Sequence, residues 1–426
     1  MYKVLVIAYY FPPMGFSGVQ RTLKMCKYAP EFNWKATVVT AGKTGYYAHD
    51  NSLMEEAENS DIEIIRTNGK DINSLLARFG TIKMPGEFFR KMFSLVSKTF
   101  FIPDNKKSWS KTAYLKAKEI LSKENFDILY ITMPPFSSLQ YCAKLKNEFD
   151  IPLFVDYRDL WYDNQFAFYP TPYHSIRTKK MEEKLLRQTD KVFVTNRVAK
   201  ECMLSTYKFL NFDDISIVTH GFDPQDFENV LSEKVTQKMI LTYSGIFYEK
   251  ITPKYFLKAF KQLIKERPDV AANIELHFIG GLRKHNIRLV KKLELQGYIK
   301  EHGYLDHKQV IQKLIDSDVL WMMYDKMGNS RAVAPGKLYE YIGTKKPIIA
   351  SVIDGAAKKD ADEYKASIIT KPNDIDEIKE AILKMYENYK NGTLPAPKEE
   401  TVDKYNRKYI TEKLLKEFQF FLKEEI

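Results

Sequence analysis

The stretch VLVIAYYFPPMGFSGVQRTLKMCKYAPEFNWKATVVTA, residues 4–41, decides the fold. VLVIAY is apolar without alternation, which is the pattern of a strand covered on both faces of a parallel sheet. Pro12 and Pro13 stop the strand, Gly15 and Gly18 permit close backbone approach, and Ser17 with Gln20 has the spacing of a capping box opening a helix. ATVVTA then repeats the buried-strand pattern. A strand, a glycine-containing loop and a helix N-terminus make an anion-binding corner at the carboxyl edge of a doubly wound sheet. An ordinary tight turn has the same glycines, and the loop is not a G-x-G-x-x-G fingerprint.

Working outward, DILYIT, PLFVDY and KVFVTN continue the series, and MILTYSG, IELHFIGG, DVLWMMY, PIIAS and SIIT form a second one. Each apolar run alternates with a stretch of helical period, so the class is α/β, doubly wound, and the pattern occurs twice. ISIVTHGFDPQDFENVLSEKVTQK, residues 215–238, has a Gly-Phe-Asp-Pro turn followed by polar residues and reads as the linker. The expected domains are 1–214, joined by a returning helix at 404–426, and 215–403.

A chain of 426 residues with 44% hydrophobic and 28% charged residues can bury two cores without metal or disulfides. Cys26, Cys142 and Cys202 are odd in number and far apart, as expected of buried thiols in a reducing compartment. The opening YKVLVIAYY lacks the charged head and cleavage site of a secretory signal, and no run reaches the ~18 apolar residues of a membrane span. These features lead to the expectation of a cytoplasmic protein whose membrane contact is peripheral, on the inner face. Seven histidines without H-x-x-x-H spacing, and no G-x-S-x-G elbow, argue against a zincin or a common serine hydrolase.

RAVAPGKLYEYIGTKKPIIAS, residues 331–351, places Pro335 and Gly336 at a helix start, with Leu338, Tyr341 and Ile342 on one apolar face. Free amides near Gly336, Lys337 and Leu338 would point outward with the positive end of the helix dipole and suit a diphosphate. Lys337 adds a point charge and Glu340 a two-oxygen acceptor suited to a ribose diol; the pair also fits an exposed i, i+3 ion pair. TMPPFSSLQY, residues 132–141, is again a strand followed by a Ser-rich helix start. VDYRDLWYDN, residues 155–164, ends a strand in Arg158 and Asp159, which either face the crevice or form a structural ion pair. Gly245 closes the first strand of the second series, and Lys250 follows it, either reaching a phosphate or solvated at the surface.

In order along the chain, YYFPPMGFSGVQR, IPDNKKSW, FDILYITMPPFSS, IPLFVDYRDLW, SIVTHGFD, LTYSGIFYEK, HFIGG and PGKLYEYIGTKKPIIAS resemble the family 4 retaining nucleotide-sugar glycosyltransferases of the GT-B fold. The resemblance implies two Rossmann-like domains facing a cleft, with a C-terminal helix crossing back to the first. It implies transfer of a sugar from a nucleotide-diphosphate sugar, as co-substrate, to a glycan or lipid-linked acceptor, in bacterial surface polysaccharide synthesis. Glu340 would hold the ribose. The amides of Gly336 to Leu338, with Lys250, would hold the diphosphate, and the Gly15 to Gly18 loop would face the sugar-phosphate side. Gly245 and Lys337 join this donor set by place and charge, while Asp159 and Arg158 would line the acceptor or sugar pocket as catalytic residues beside Lys250. No cofactor and no metal are implied, and Asp360 with Asp362, or Asp374 with Asp376, lie in polar segments with no strand leading in.

Departures from the family pattern are equally specific. Ala332 stands eight positions before Glu340, where a second glutamate is common; Phe136 replaces a histidine; His220 precedes Gly221 in place of asparagine; and the usual arginine before Lys250 is absent. They favour, as the alternative, a non-catalytic nucleotide-sugar-binding or scaffolding protein of the same fold.

The net charge of +11 is uneven, with +8 of it in residues 78–118. Phe89, Met92, Phe93, Val96 and Phe100 recur there at helical spacing among Arg90, Lys91 and Lys98. Such a helix suits an anionic membrane surface, or else packs its aromatic side on the first domain. No recognition motif accompanies the charge, so nucleic acid is not an expected partner.

Overall fold

The structure is a computed structural model and describes residues 1–70, 72–82, 95, 97, 99, 101–248 and 250–424. The basic amphipathic helix expected around Phe89, Arg90, Lys91, Met92, Phe93, Val96, Lys98 and Phe100 lies outside the described residues. The chain divides into two compact units, Met1–Thr219 with Lys408–Ile426, and His220–Arg407.

The first unit is built on β1 (Tyr2–Ala8), β2 (Trp34–Ala41), β3 (Ile62–Thr67), β4 (Ile128–Met133), β5 (Leu153–Tyr157), β6 (Lys191–Val194) and β7 (Ile215–Ile217). They form a parallel sheet in the order β3-β2-β1-β4-β5-β6-β7. The second unit has β8 (Met239–Ser244), β9 (Ile274–Ile279), β10 (Ile299–Gly303), β11 (Val319–Tyr324), β12 (Ile348–Val352) and β13 (Ser367–Thr370), in the order β10-β9-β8-β11-β12-β13 and again parallel. Every residue of β4, β5, β8, β11 and β12 is buried, as continuous apolar runs require when helices cover both faces. In each sheet the winding reverses between two adjacent strands, β1 and β4 in one and β8 and β11 in the other. The loops leaving those carboxyl ends therefore border a crevice, which is where ligands of such sheets bind.

Residues 215–219, expected to lie beyond the linker start, belong to the first unit, because Ile215–Ile217 hydrogen-bonds as β7 to β6. The last helix, Arg407–Glu424, lies against the first sheet from Lys408 on. Phe418, fully buried, meets Trp34, Tyr130, Phe154 and Phe193 from four strands, at centroid distances of 5.0 to 5.9 Å. Burial of such a ring stabilises the attachment by about 2–3 kcal/mol.

Among the described residues, no helix is long and apolar enough to cross a membrane. The described part of the basic run points several charges inward or into pairs. Lys106 is buried over the Tyr9 ring, and Lys118 and Lys116 pair with Glu148 and Glu119 at 2.8 Å each.

Candidate functional site

In the second unit the helix Gly336–Gly343 follows β11 and begins directly after Pro335, as its sequence predicts. Leu338, Tyr339, Tyr341 and Ile342 are fully buried. Tyr341 fixes the helix to the switch-point strands: its hydroxyl accepts the Ser244 amide at 2.7 Å and donates to the Trp321 carbonyl at 3.3 Å. Of the three amides expected to be open, that of Leu338 is taken, donating to the Pro335 carbonyl at 3.0 Å in a tight first turn. Of the three amides expected to hold an anion, those of Gly336 and Lys337 remain candidates.

Lys337 turns toward the end of β8. Its Nζ donates to the Tyr243 hydroxyl at 2.9 Å and lies 4.1 Å from the centroid of that ring, which is itself stacked on Phe247 at 4.2 Å. The residue is half-buried as a whole, but its ammonium end is enclosed. Burial brings its pKa down to about 7, against the opposing pull of the Glu340 carboxylate. Gly245 makes room for this arrangement: its φ is +131°, and a Cβ there would run into Lys337 Nζ. Gly245, distant in sequence from Lys337 and Glu340, thus belongs to the same corner. Lys250 stands on the same loop after β8, exposed to solvent.

Glu340 is not an isolated acceptor. Its Oε1 lies 3.4 Å from Nε2 of His307, which is also 3.9 Å from Asp226 Oδ2, and all three side chains are largely covered. His307 is the first residue of the helix His307–Ile315, set in place by a capping box between Asp306 and Gln309. The sequence reading did not single it out, since nothing in HGYLDHKQ announces proximity to a glutamate in another crossover helix. A further Asp-x-Asp pair, Asp316 and Asp318, precedes β11. It is occupied structurally: Asp318 accepts from Lys234 and the Ile240 amide at 2.6 and 2.7 Å, and Asp316 from the Glu233 amide at 2.8 Å.

In the first unit the helix after β1 starts at Ser17 with Phe16 as its N-cap, so Ser17 stands one position inside the helix and not at the cap that the Ser17–Gln20 spacing suggested. Phe16 sits at φ 72° and ψ 161°, a region that non-glycine residues rarely occupy. The Gly15 amide donates to the Ala48 carbonyl at 2.9 Å. Arg158 is not paired with Asp159 but clasps the loops that leave the carboxyl ends of β1 and β4. Its guanidinium donates to the carbonyls of Met133, Pro134 and Gly18 at 3.2, 2.8 and 2.5 Å and lies over the Tyr10 ring. Gly18 has no room for a side chain because Arg158 Nη1 would be 2.6 Å from its Cβ. Asp159, half-buried, accepts from Gln165 Nε2 at 3.0 Å.

The Ser-rich helix start Ser137–Phe149 already holds a carboxylate of the chain itself. Asp104 accepts the Ser137 amide and hydroxyl at 2.8 Å each, which fills the position an external anion would use. Phe136 stacks on Trp161 at 5.2 Å and 8°.

Comparison with known proteins matches residues 224–409 to the model of glycosyl transferases group 1 and residues 81–226 to that of glycosyltransferase family 4. No curated protein sequence matches the chain. Similar solved structures include a sucrose-phosphate synthase from Thermosynechococcus elongatus, with TM-score 0.65, 13% identity and all of both chains covered. Anabaena Alr3699/HepE in complex with UDP-glucose has TM-score 0.63 and 11% identity, covering 98% of this chain and 100% of that one. S. aureus TarM, in a complex that includes UDP, has TM-score 0.61 and 11% identity, with the same coverage. At these identities the likeness establishes the fold. With the two adjoining family models across residues 81–409 and two parallel α/β units, the chain is a family 4-like glycosyltransferase with the GT-B fold.

Proposed function

We propose that this glycosyltransferase transfers a sugar, with retention of anomeric configuration, from a nucleotide-diphosphate sugar to a glycan or lipid-linked acceptor in bacterial surface polysaccharide synthesis. The observation that carries the reading is the corner at the β8–β11 switch point: two open amides, a lysine and a carboxylate on the first turns of one helix, with Gly245 making room for the lysine. The solved relatives in complex with UDP or UDP-glucose support the donor class.

In this reading Glu340 accepts from the ribose diol, and the Gly336 and Lys337 amides hold the diphosphate. As the anomeric bond breaks, negative charge grows on the departing diphosphate. Preorganised donors aimed at that charge are worth about 10²- to 10³-fold each, and Lys337 with Lys250 would add positive charge without a metal. Asp159 is proposed for the sugar or acceptor side, with Arg158 acting indirectly by fixing the loops around it.

A second reading, a nucleotide-sugar-binding protein without turnover, is favoured by Ala332, a buried methyl where the resemblance expects a carboxylate. Screening nucleotide sugars for thermal stabilisation and donor hydrolysis, with Glu340→Ala as control, separates the two. Stabilisation by one donor, lost in the variant and accompanied by nucleotide release, supports transfer; binding without turnover in the presence of lipid acceptors supports the second reading; no binding refutes both.

A further inference from the structure

The first unit carries an exposed aromatic and basic surface remote in sequence from the donor corner and from the basic run at 78–118. It consists of the loop before the helix Pro172–Leu186 and the outer stripe of that helix. Phe166 and Phe168 on the loop are 36% and 51% exposed, and Tyr173 and Ile176 on the first turns are 61% and 55% exposed. Isolated exposed apolar residues need no explanation, but four large ones within eleven positions do.

The loop is held in a defined shape. Asn164 accepts the Phe166 amide on its side chain and the Ala167 amide on its carbonyl, at 2.8 and 2.9 Å. Beneath, Tyr169 donates to the Tyr162 carbonyl at 2.7 Å, and the two rings stack at 5.4 Å. The phenylalanines are therefore presented by a braced turn.

Within this segment, which follows Asp163 (bound by the Thr206 hydroxyl at 2.6 Å), the charge has one sign. From Asn164 to Met181 there is no aspartate or glutamate, while Arg177, Lys179 and Lys180 are present and Lys184 continues the exposed stripe. Of the next acids, Glu182 is buried and Glu183 is paired with Arg187 at 2.8 Å. A second copy meeting this surface about a two-fold axis would bring like charges together. Phenylalanine and tyrosine flanked by lysine and arginine are the composition of a protein surface seated in the headgroup layer of an anionic leaflet.

We infer that the loop at Phe166 and Phe168, with the Tyr173, Ile176, Arg177 and Lys180 stripe, is a peripheral membrane-docking surface for anionic lipid. Its aromatic side chains enter the headgroup layer and its cations meet lipid phosphates. This inference does not depend on donor binding or on turnover.

The test uses the full-length chain with vesicles of phosphatidylcholine alone or mixed with phosphatidylglycerol, at low and high salt. Wild-type protein should co-sediment with the mixed vesicles only and be released by salt. Phe166→Ser with Phe168→Ser, and separately Arg177→Glu with Lys180→Glu, should each weaken partitioning at least about ten-fold, about the loss of two interfacial cations, while leaving the melting temperature and nucleotide binding unchanged. In a Phe168→Trp variant the indole emission should shift to the blue on binding. The inference is overturned if mixed vesicles do not bind, if both double variants bind as wild type, or if the indole emission is unchanged. Self-association, or capture of an acidic protein, lost in the same variants without any vesicle binding would assign the surface to a protein partner and equally overturn it.

Discussion

The guanidinium of Arg21 meets the carboxylate of Asp156 at two points, Nε to Oδ2 and Nη2 to Oδ1, both at 2.8 Å and both buried. The same side chain donates to the carbonyls of Thr219 and Val218 at 2.8 and 2.9 Å, immediately before the second unit begins. One buried arginine thus joins the first helix, the middle of the first sheet and the chain segment leading out of it. Removing one member of such a pair leaves an uncompensated charge and costs about 3–5 kcal/mol. Arg21→Met should therefore lower the urea midpoint of the first unit sharply. Arg21→Met with Asp156→Leu should recover part of the loss; equal instability of the single and double variants would mean that the carbonyl contacts dominate.

Lys337 would give the proposed donor binding a pH dependence whose sign follows from its burial. With its pKa lowered to about 7, the free protein holds this lysine mostly neutral at pH 8. A bound diphosphate favours the charged form and raises the pKa, so binding takes up a proton and affinity falls as pH rises above 7, by up to about ten-fold per unit. Calorimetry at pH 8 in two buffers of different ionisation enthalpy should show uptake approaching one proton. In Lys337→Met the uptake should vanish and the affinity become flat with pH; unchanged uptake would place the titrating group elsewhere.

The central strands were legible because their burial leaves continuous apolar runs, from VLVIAY to PIIAS. The strands not recognised, β3, β7 and β10, are edge strands in which the rule fails: IEIIRT and IKEHG carry charges toward solvent, and ISI is too short. The arrangement of the corner proposed for the donor was legible as far as it is local. Pro335, Gly336, Lys337 and Glu340 lie within one turn and a half of helix, and their spacing states their relation. The clasp made by Arg158 was not legible because its partners are backbone carbonyls, which no sequence position marks. His307 and Asp104 were missed because each meets its partner, Glu340 or the Ser137 amide, only after crossovers fold back on the sheet.

Glu182 makes stability depend on pH in a way that the surface ion pairs do not. It is buried, accepts the Tyr162 amide at 2.8 Å, and its carboxyl is pushed up to about 7 chiefly by burial. Because the folded pKa exceeds the unfolded one, the native state holds the extra proton. Stability is greatest below pH 4.5 as far as this group is concerned and declines as pH rises to about 7, by on the order of 3 kcal/mol. Glu182→Gln keeps an oxygen for the amide and removes the ionisation. Its melting temperature should exceed wild type at pH 8 and converge with it at pH 5, and a constant difference across that range would refute the assignment.

His307 and Glu340 offer the most direct check on the ribose assignment. His307 Nε2 lies 3.4 Å from Glu340 Oε1, so the imidazole helps to set the orientation of the carboxylate proposed for the ribose diol. Deleting the imidazole should therefore weaken a nucleoside diphosphate through the glutamate and not through the phosphates. His307→Ala is expected to raise Kd about five- to ten-fold, His307→Gln less, and neither should alter the proton uptake tied to Lys337. In Glu340→Ala the His307 substitution should have little further effect, with a coupling of about 1 kcal/mol in the cycle. A nucleotide lacking the ribose hydroxyls should bind wild type and His307→Ala alike. Additive losses, or an equal loss with the deoxygenated nucleotide, would mean that His307 contacts the ligand or supports the fold by itself.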